Sequence, residues 1–231
     1  MGSSPPIASS AVRITGWIRQ RWGLRRRGGL VTATDPLGPL LTALGGAGHA
    51  SSDYDLNPGV ILPPDRKLRA AAVLVPVLCG HGAARVILTK RSSALTHHPG
   101  QIAFPGGKQD VADPDLTATA LREASEEIGL DPGNVEVLGY LPNHETVTGF
   151  DVTPVLARVQ HPFQPRAQVG EVDEIFEVPL AHLLDLGRFR VERRRWRGDW
   201  RNYYAVPFGP YYIWGATARI LRSMADLADS R

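Results

Sequence analysis

The sequence predicts an α/β fold that occupies most of the chain and follows an N-terminal extension. Three observations point to it. Two apolar runs, residues 70–79 and 85–91, have strand length and composition and flank a glycine turn at 80–82. The period then changes. Over residues 115–128 the apolar positions Leu116, Ala120, Ala124 and Ile128 recur every four, the narrow stripe of an amphipathic helix. Strand-like runs return after it, and the chain closes on a second helical stretch at 216–227.

In chain order, residues 1–35 are rich in Ser, Gly, Pro and Arg, and residues 45–66 in Gly, Ser, Pro and Asp, with a short helix expected between them at 39–44. This gives an organisation of a basic arm with a short helix at 1–66 and a main domain at 67–231. After the strands at 70–79 and 85–91 comes a loop holding His97, His98, Pro99 and Gly100. A short strand at 101–104 then ends in Pro105, Gly106 and Gly107. The helix at 115–128 has Asp113 as expected N-cap, Pro114 at its first position, Gly129 as stop and Pro132 beyond. Strands are expected at 135–141, 152–159 and 175–178, a short helix at 179–186, and one or two strands within 203–214.

Composition narrows the function. The chain has 231 residues and a formal charge of +3 with a pI near 9.2, which at face value hints at an anionic polymer as partner. The charge is unevenly placed. Residues 1–34 hold six arginines and no acid, and residues 188–201 hold seven arginines against Glu192 and Asp199. Those segments carry +6 and +5, so the net +3 leaves −8 for everything else. The main body is acidic. One cysteine, Cys79, excludes an intrachain disulfide and a zinc ribbon and fits a reducing compartment. The longest apolar run is about half of the ~20 residues a membrane span needs, and Asp35 and Pro36 interrupt any secretory signal. No span is expected, and the protein reads as cytoplasmic.

The chemistry is expected on the helix. In REASEEIGL, Glu123, Glu126 and Glu127 lie three and four apart, so their carboxylates share one side beside the alanine stripe. Like charges at that spacing repel, and they sit toward the helix C-terminus, where the dipole also disfavours anions. A hard divalent cation such as Mg2+, which takes oxygen ligands together with substrate phosphates, would offset both. Gly106 and Gly107 would let backbone groups approach such an ion. A plain solvated acidic face and an ordinary glycine turn are the alternatives.

The run from Gly106 to Leu130 resembles the Nudix box. Its second half agrees at Arg122, Glu123, Ala124, Glu126, Glu127, Gly129 and Leu130. Its first half departs, with Pro114 where a glutamate is usual and the second glycine one residue upstream. Within that superfamily the chain is similar to the coenzyme A pyrophosphatases, which start the box as PGGK, here PGGKQDVAD from Pro105. They also carry an upstream signature like LTKRSSALTHHPGQIAFPGG from Leu88 to Gly107, in which Thr96 replaces a usual arginine. VTGFDVTPVLARV, VDEIFEVPLAHLL and GPYYIWGATARIL extend the similarity over roughly residues 70–221.

The resemblance implies a Nudix fold, an α/β/α sandwich on a mixed central sheet. It implies a hydrolase that uses Mg2+ or Mn2+ to cleave the diphosphate of coenzyme A to 4'-phosphopantetheine and adenosine 3',5'-bisphosphate. Glu123, Glu126, Glu127 and the carbonyl of Gly106 would be metal ligands. Arg122 would hold the glutamates in place, and Asp113 or Asp115 would take over part of the missing glutamate's duty. Lys90, Arg91, His98, Gly106, Gly107 and Lys108 would meet the substrate, with Lys90 and Arg91 suited to its extra 3'-phosphate. Glu145 and Glu174 are fallback bases, and His97, His98 and His144 are read as loop histidines that could contact phosphate. A small-molecule substrate is expected rather than nucleic acid, with a homodimer left open. RRRWRGDWR reads as an exposed hairpin with arginines over aromatic faces, or alternatively as a surface that stacks adenine or RNA. The competing functions are a Nudix hydrolase of ADP-ribose or a dinucleotide, and a non-catalytic Nudix-fold binding module.

Overall fold

The computed structural model describes residues 35–44, 48–63, 65–79, 83–196 and 198–229. The arginine arm at 1–34 and the expected turn at 80–82 lie outside them.

The sheet is organised by two long strands. β2 (Arg69–Leu78) and β8 (Phe150–Val159) run parallel and in register over their full lengths. β8 takes β6 (Val135–Tyr140) antiparallel on its other edge. β3 (Arg85–Arg91) joins the end of β2 antiparallel and pairs along its length with β9 (Val172–Pro179). Short strands complete it: β1 (Ser51–Ser52), β4 (Ile102–Ala103), β5 (Gly106–Lys108) and β7 (His144–Glu145). Nine strands of the described residues form this mixed sheet. Pro76 sits where β2 has only β8 as ladder partner, between its pairings with β5 and β3, which is where a missing N–H costs least.

Both sheet faces are covered, which explains why the run 70–79 is apolar throughout instead of alternating. Its even positions Ala72 and Leu74 point to α2 (Leu116–Ile128), whose Ala120, Ala124 and Ile128 are fully buried against them. Its odd positions Val75 and Val77 point to a second core filled by α1 (Gly38–Ala43), α3 (Leu180–Leu184) and α4 (Ala216–Asp229). Leu37 and Leu40 belong to that core, so residues 35–44, read from sequence as part of the arm, pack into the same compact unit as the sheet.

Two expectations change in detail. The N-cap of α2 is Asp115, whose side chain accepts the Ala118 N–H at 2.8 Å, and the helix starts at Leu116. Asp113 is drawn away by a bidentate, charge-assisted contact with Arg122, stronger than a neutral amide cap. Gly129 does end the helix in the left-handed conformation. The helix expected at 179–186 is the single turn α3 followed by a 3-10 turn at Leu186–Arg188, because Asp185 caps the Gly187 N–H and starts a new turn. The arginine-rich segment forms the hairpin β10 (Arg190–Trp196) and β11 (Asp199–Ala205), outside the main sheet.

Candidate functional site

Arg122 organises the acidic side of α2. Its Nε and Nη2 donate to the two oxygens of Asp113 at 3.0 and 2.9 Å, and its Nη1 donates to both Glu123 and Glu126 at 3.0 Å. The Asp113 carboxylate also accepts from Thr119 Oγ1 and the Asp110 N–H, and the Arg122 contact above all holds it well below the usual carboxylate range. One guanidinium therefore ties the loop before the helix to two glutamates on it. Glu126 remains half exposed at 51 %.

The glycine pair is explained by close approach. A Cβ on Gly106 would lie 2.4 Å from the Ala72 carbonyl oxygen in β2, and one on Gly107 would lie 2.5 Å from Glu123 Oε1. The Gly106 N–H donates to Glu127 Oε2 at 3.3 Å. Glu127 is 5 % exposed, and burial, opposed by that N–H and reinforced by the charge of Glu123, raises its carboxyl to about 7. Burial likewise raises Glu123, against Arg122, with Glu126 and Glu171 adding to the rise. Glu171, from the turn before β9, thus joins the acidic field although no sequence motif marked it.

The test of a metal here is the chemistry of these donors. They are all oxygens, and burial, which partly strips Glu123 and Glu127 of water, raises both carboxyls. A hard divalent ion suits oxygen donors of this kind. The three glutamates are nevertheless not gathered into one cage, since no cluster of three or more acidic, His or Cys side chains suited to an ion occurs among the described residues. Glu126 shares the Arg122 Nη1 with Glu123 and lies at the exposed rim.

Beside this edge opens a cavity of about 350 Å³. Val73, Ala103, Phe104, Val152 and Ile220 give it an apolar floor, and Arg91, His98, Gln101 and Gly106 also line it. The arginine-rich hairpin and the segment between it and α4 contribute Arg194, Arg201, Tyr203 and Trp214. Gly106 belongs to both regions, and the charge of Arg91 is felt at Glu127. Among the described residues His98 is the single non-glycine with a left-handed backbone, φ 56°, and it lines the cavity.

Of the residues expected to meet substrate, Arg91, His98 and Gly106 line the cavity, whereas Lys90, Gly107 and Lys108 do not. Lys90 stands opposite Glu174 in the β3–β9 ladder, and Lys108 is exposed with its ammonium 4.0 Å from Asp110. Thr96 is exposed on the loop and outside the lining. The fallback bases are otherwise engaged: Glu145 pairs with Arg66, and Glu174 accepts from the Tyr211 hydroxyl. His144 is no loop histidine. It is fully buried, bound to Ser51 Oγ at 2.9 Å and Asp53 Oδ1 at 3.2 Å, and Asp53 in turn accepts the Val147 N–H in the cavity wall. The hairpin does place arginines over aromatic faces, Arg193 over Trp200 at 4.8 Å and Arg194 over Trp214 at 5.6 Å. Trp200 is 62 % exposed on the outer face, and among the described residues Trp214 is the tryptophan that lines the cavity.

Residues 67–198 match the NUDIX domain family. The chain is 44 % identical over 177 residues to a protein of Salmonella heidelberg described as an uncharacterized Nudix hydrolase, NudL, covering 77 % of this chain and 92 % of that one. It is 43 % identical over 157 residues to the protein of the same description from Citrobacter koseri, covering 68 % and 81 %. Among solved structures it is similar to a Nudix hydrolase from M. smegmatis, RenU, with 25 % identity, a TM-score of 0.43, and coverage of 52 % and 75 %.

Proposed function

Because the chain belongs to the Nudix hydrolase family, we propose that it hydrolyses the diphosphate bond of coenzyme A and its derivatives, giving 4'-phosphopantetheine and adenosine 3',5'-bisphosphate. One juxtaposition carries the reading. The oxygen-only edge at Glu123, Glu127 and Gly106 meets, at Gly106 and Arg91, an apolar cavity walled by arginines and aromatic rings. That combination suits a molecule with a diphosphate at its middle, an aromatic base on one side and a largely aliphatic arm on the other. The segment from Leu88 to Gly107, where the similarity to coenzyme A pyrophosphatases lies, supports the substrate by supplying Arg91, His98, Gln101, Phe104 and Gly106 to that cavity.

Glu123, Glu127 and the Gly106 carbonyl would hold Mg2+ or Mn2+, with Glu126 at the exposed rim. When bound, such an ion neutralises phosphate oxygens and lowers the pKa of a coordinated water. The chain's own groups do the remaining work. Arg122 fixes the orientation of Glu123 and Glu126, and Asp113 fixes Arg122. Arg91 offers a guanidinium to the diphosphate. A carboxylate of the same helix accepts the proton of the attacking water, and the apolar floor at Val73, Phe104 and Val152 limits competing water. No described helix is long and apolar enough to cross a membrane, and we place the enzyme in the cytoplasm.

The test is turnover with coenzyme A, its oxidised and acylated forms, ADP-ribose and a dinucleotide, in Mg2+ and in Mn2+, with products separated by chromatography. Coenzyme A or a derivative is expected to be the best substrate. Consumption of ADP-ribose with all coenzyme A forms untouched would overturn the substrate, and cleavage of nothing would return the chain to a binding module. Glu127→Gln is expected to lower kcat about a hundredfold or more while the chain stays folded, and near-normal turnover would sink the role given to Glu127.

A further inference from the structure

Resting on that reading, in which the cavity holds the substrate, we infer that Asn57 is a positioning residue for the cavity wall. Its carboxamide clips the β10–β11 hairpin at Asn202 and so fixes the neighbouring Arg201 and Tyr203, which line the cavity. The grip has two points. Asn57 Oδ1 accepts the Asn202 N–H at 2.8 Å, and Asn57 Nδ2 donates to the Asn202 carbonyl at 2.9 Å. Both backbone groups of Asn202 therefore turn away from β10, where Arg193 faces it as a non-hydrogen-bonded pair. A side chain takes the place that a third strand would occupy on this edge. Asn57 Nδ2 also reaches the Asp53 carbonyl at 3.3 Å, and Asn202 Nδ2 returns a bond to the Leu56 carbonyl at 3.1 Å. Asn57 is 9 % exposed, which makes loss of these partners costly for the groups left behind.

A clip positions its target only if its own base is fixed. Ser51 and Ser52 pair with β7, Asp53 accepts from His144 Nε2 at 3.2 Å and from the Val147 N–H at 2.8 Å, and Asp55 pairs with Arg219 of α4 at 2.8 Å. Residues 51–57 thus run from the main sheet and α4 to a hairpin that forms a separate two-stranded sheet. Asn202 lies between Arg201 and Tyr203, so a shift of its backbone carries both side chains with it. Trp214, edge to face with Tyr203 at 5.2 Å, shares that wall, and Arg201 lies over Tyr54 of the same segment at 5.4 Å. The grip is between neutral groups, so it does not depend on how Arg194 and Arg201 are balanced by Asp53, Glu192 and Asp199. Its location separates two tasks. The acidic edge from Gly106 to Glu127 lies within the residues that match the family, 67–198, whereas Asn57, Asn202, Tyr203 and Trp214 lie outside them. Chemistry and substrate wall are drawn from different parts of the chain, and loosening the clip should weaken binding without slowing the bound substrate's reaction.

The experiment compares the wild type with Asn57→Ala and with Asn134→Ala, by steady-state kinetics and by amide hydrogen exchange of β11. Asn134 is a matched control: its Nδ2 donates to the His161 carbonyl at 2.8 Å and its Oδ1 accepts the His161 N–H at 2.9 Å, the same two-point grip on residues that do not line the cavity. In Asn57→Ala the KM for coenzyme A should rise about tenfold, the scale of one hydrogen bond's net contribution, with kcat within about twofold of wild type. Exchange of the β11 amides around Asn202 should speed by about tenfold. Asn57→Ser, which keeps one hydroxyl at the position, should fall between and reads the same effect if the alanine variant fails to fold. Asn134→Ala should leave both KM and β11 exchange unchanged. An unchanged KM in Asn57→Ala, a rise equalled by Asn134→Ala, or unchanged β11 exchange overturns the role of Asn57. If ADP-ribose is cleaved and coenzyme A is not, the proposed substrate falls, and the KM for ADP-ribose decides Asn57 by the same criteria. If coenzyme A is cleaved and Asn57→Ala keeps its KM, only the role of Asn57 falls. If neither is cleaved, dissociation constants for both nucleotides in EDTA take the place of KM, and a wild type that binds neither overturns both the substrate and the clip.

Discussion

Glu127 offers the sharpest physical test of the acidic edge, because its protonation is linked to folding. In the unfolded chain its carboxyl titrates near 4.5, and in the folded protein near 7. An acid whose folded value is raised binds its proton more tightly when folded. Its effect on stability is therefore nil below about 4.5, grows more unfavourable as pH rises to about 7, and is constant above that. At about 1.4 kcal/mol per pH unit the separation comes to about 3 kcal/mol. Glu127→Gln keeps an oxygen to accept the Gly106 N–H but has no charge to bury. The measurement is urea unfolding of both proteins in EDTA at several pH values between 4.5 and 8.5. The stability of Glu127→Gln relative to wild type should rise by about 3 kcal/mol across that interval, moving the midpoint apart by about 1 M urea for an m-value of 2–3 kcal/mol/M. Mg2+ should shrink the difference by stabilising the ionised wild-type carboxylate. A difference that stays flat with pH would refute the claim that burial in this corner loads Glu127, and with it the electrostatic case for an ion there.

Two further outcomes separate structural from functional acids. Asp115→Ala removes the helix cap and should cost about 1 kcal/mol of stability with turnover nearly intact, whereas Asp113→Ala should lower kcat at least tenfold by releasing Arg122 from its bidentate seat, read by steady-state kinetics beside thermal melts. Gly107→Ala places a methyl 2.5 Å from Glu123 Oε1 and should weaken Mg2+ dependence and turnover tenfold or more with little change in the melting temperature, since the neighbour that must move is a side chain end.

How far these features were legible varies with the range over which they act. The stripe at Leu116, Ala120, Ala124 and Ile128 is a local pattern, and Gly129 is a local stop, so the helix and its carboxylates could be read directly. The start of α2 was displaced because the choice between Asp113 and Asp115 depends on Arg122, nine residues from Asp113, which competes for the nearer acid. His144 shows the same limit at longer range. Its partners Ser51 and Asp53 are more than ninety residues away, so a residue that looks like a loop histidine is a buried brace. Arg194 and Arg201 are legible within a basic aromatic segment and Trp214 within a later strand region, but which face of the ribbon meets the cavity is set by the register of the hairpin and by its docking, neither of which has a local signature. Gly106 and Gly107 were read as permissive backbone, and the structure shows them as clearances, one against β2 and one beneath Glu123.

The smallest side chains of α2 have a mechanical consequence for its largest ones. Ala120 and Ala124 are fully buried between the helix axis and β2, so the axis lies as low over the sheet as a methyl group permits. The carboxylates of Glu123 and Glu127 hang from that axis on the same rigid rod, and Gly106 and Gly107 belong to a strand paired directly with β2. The height of the helix above the sheet is therefore the same dimension as the gap between acids and glycine backbone. A single methylene added at either alanine would act as a shim, raising the whole row of acids together and opening the contact at Gly106 without touching any group that bears charge.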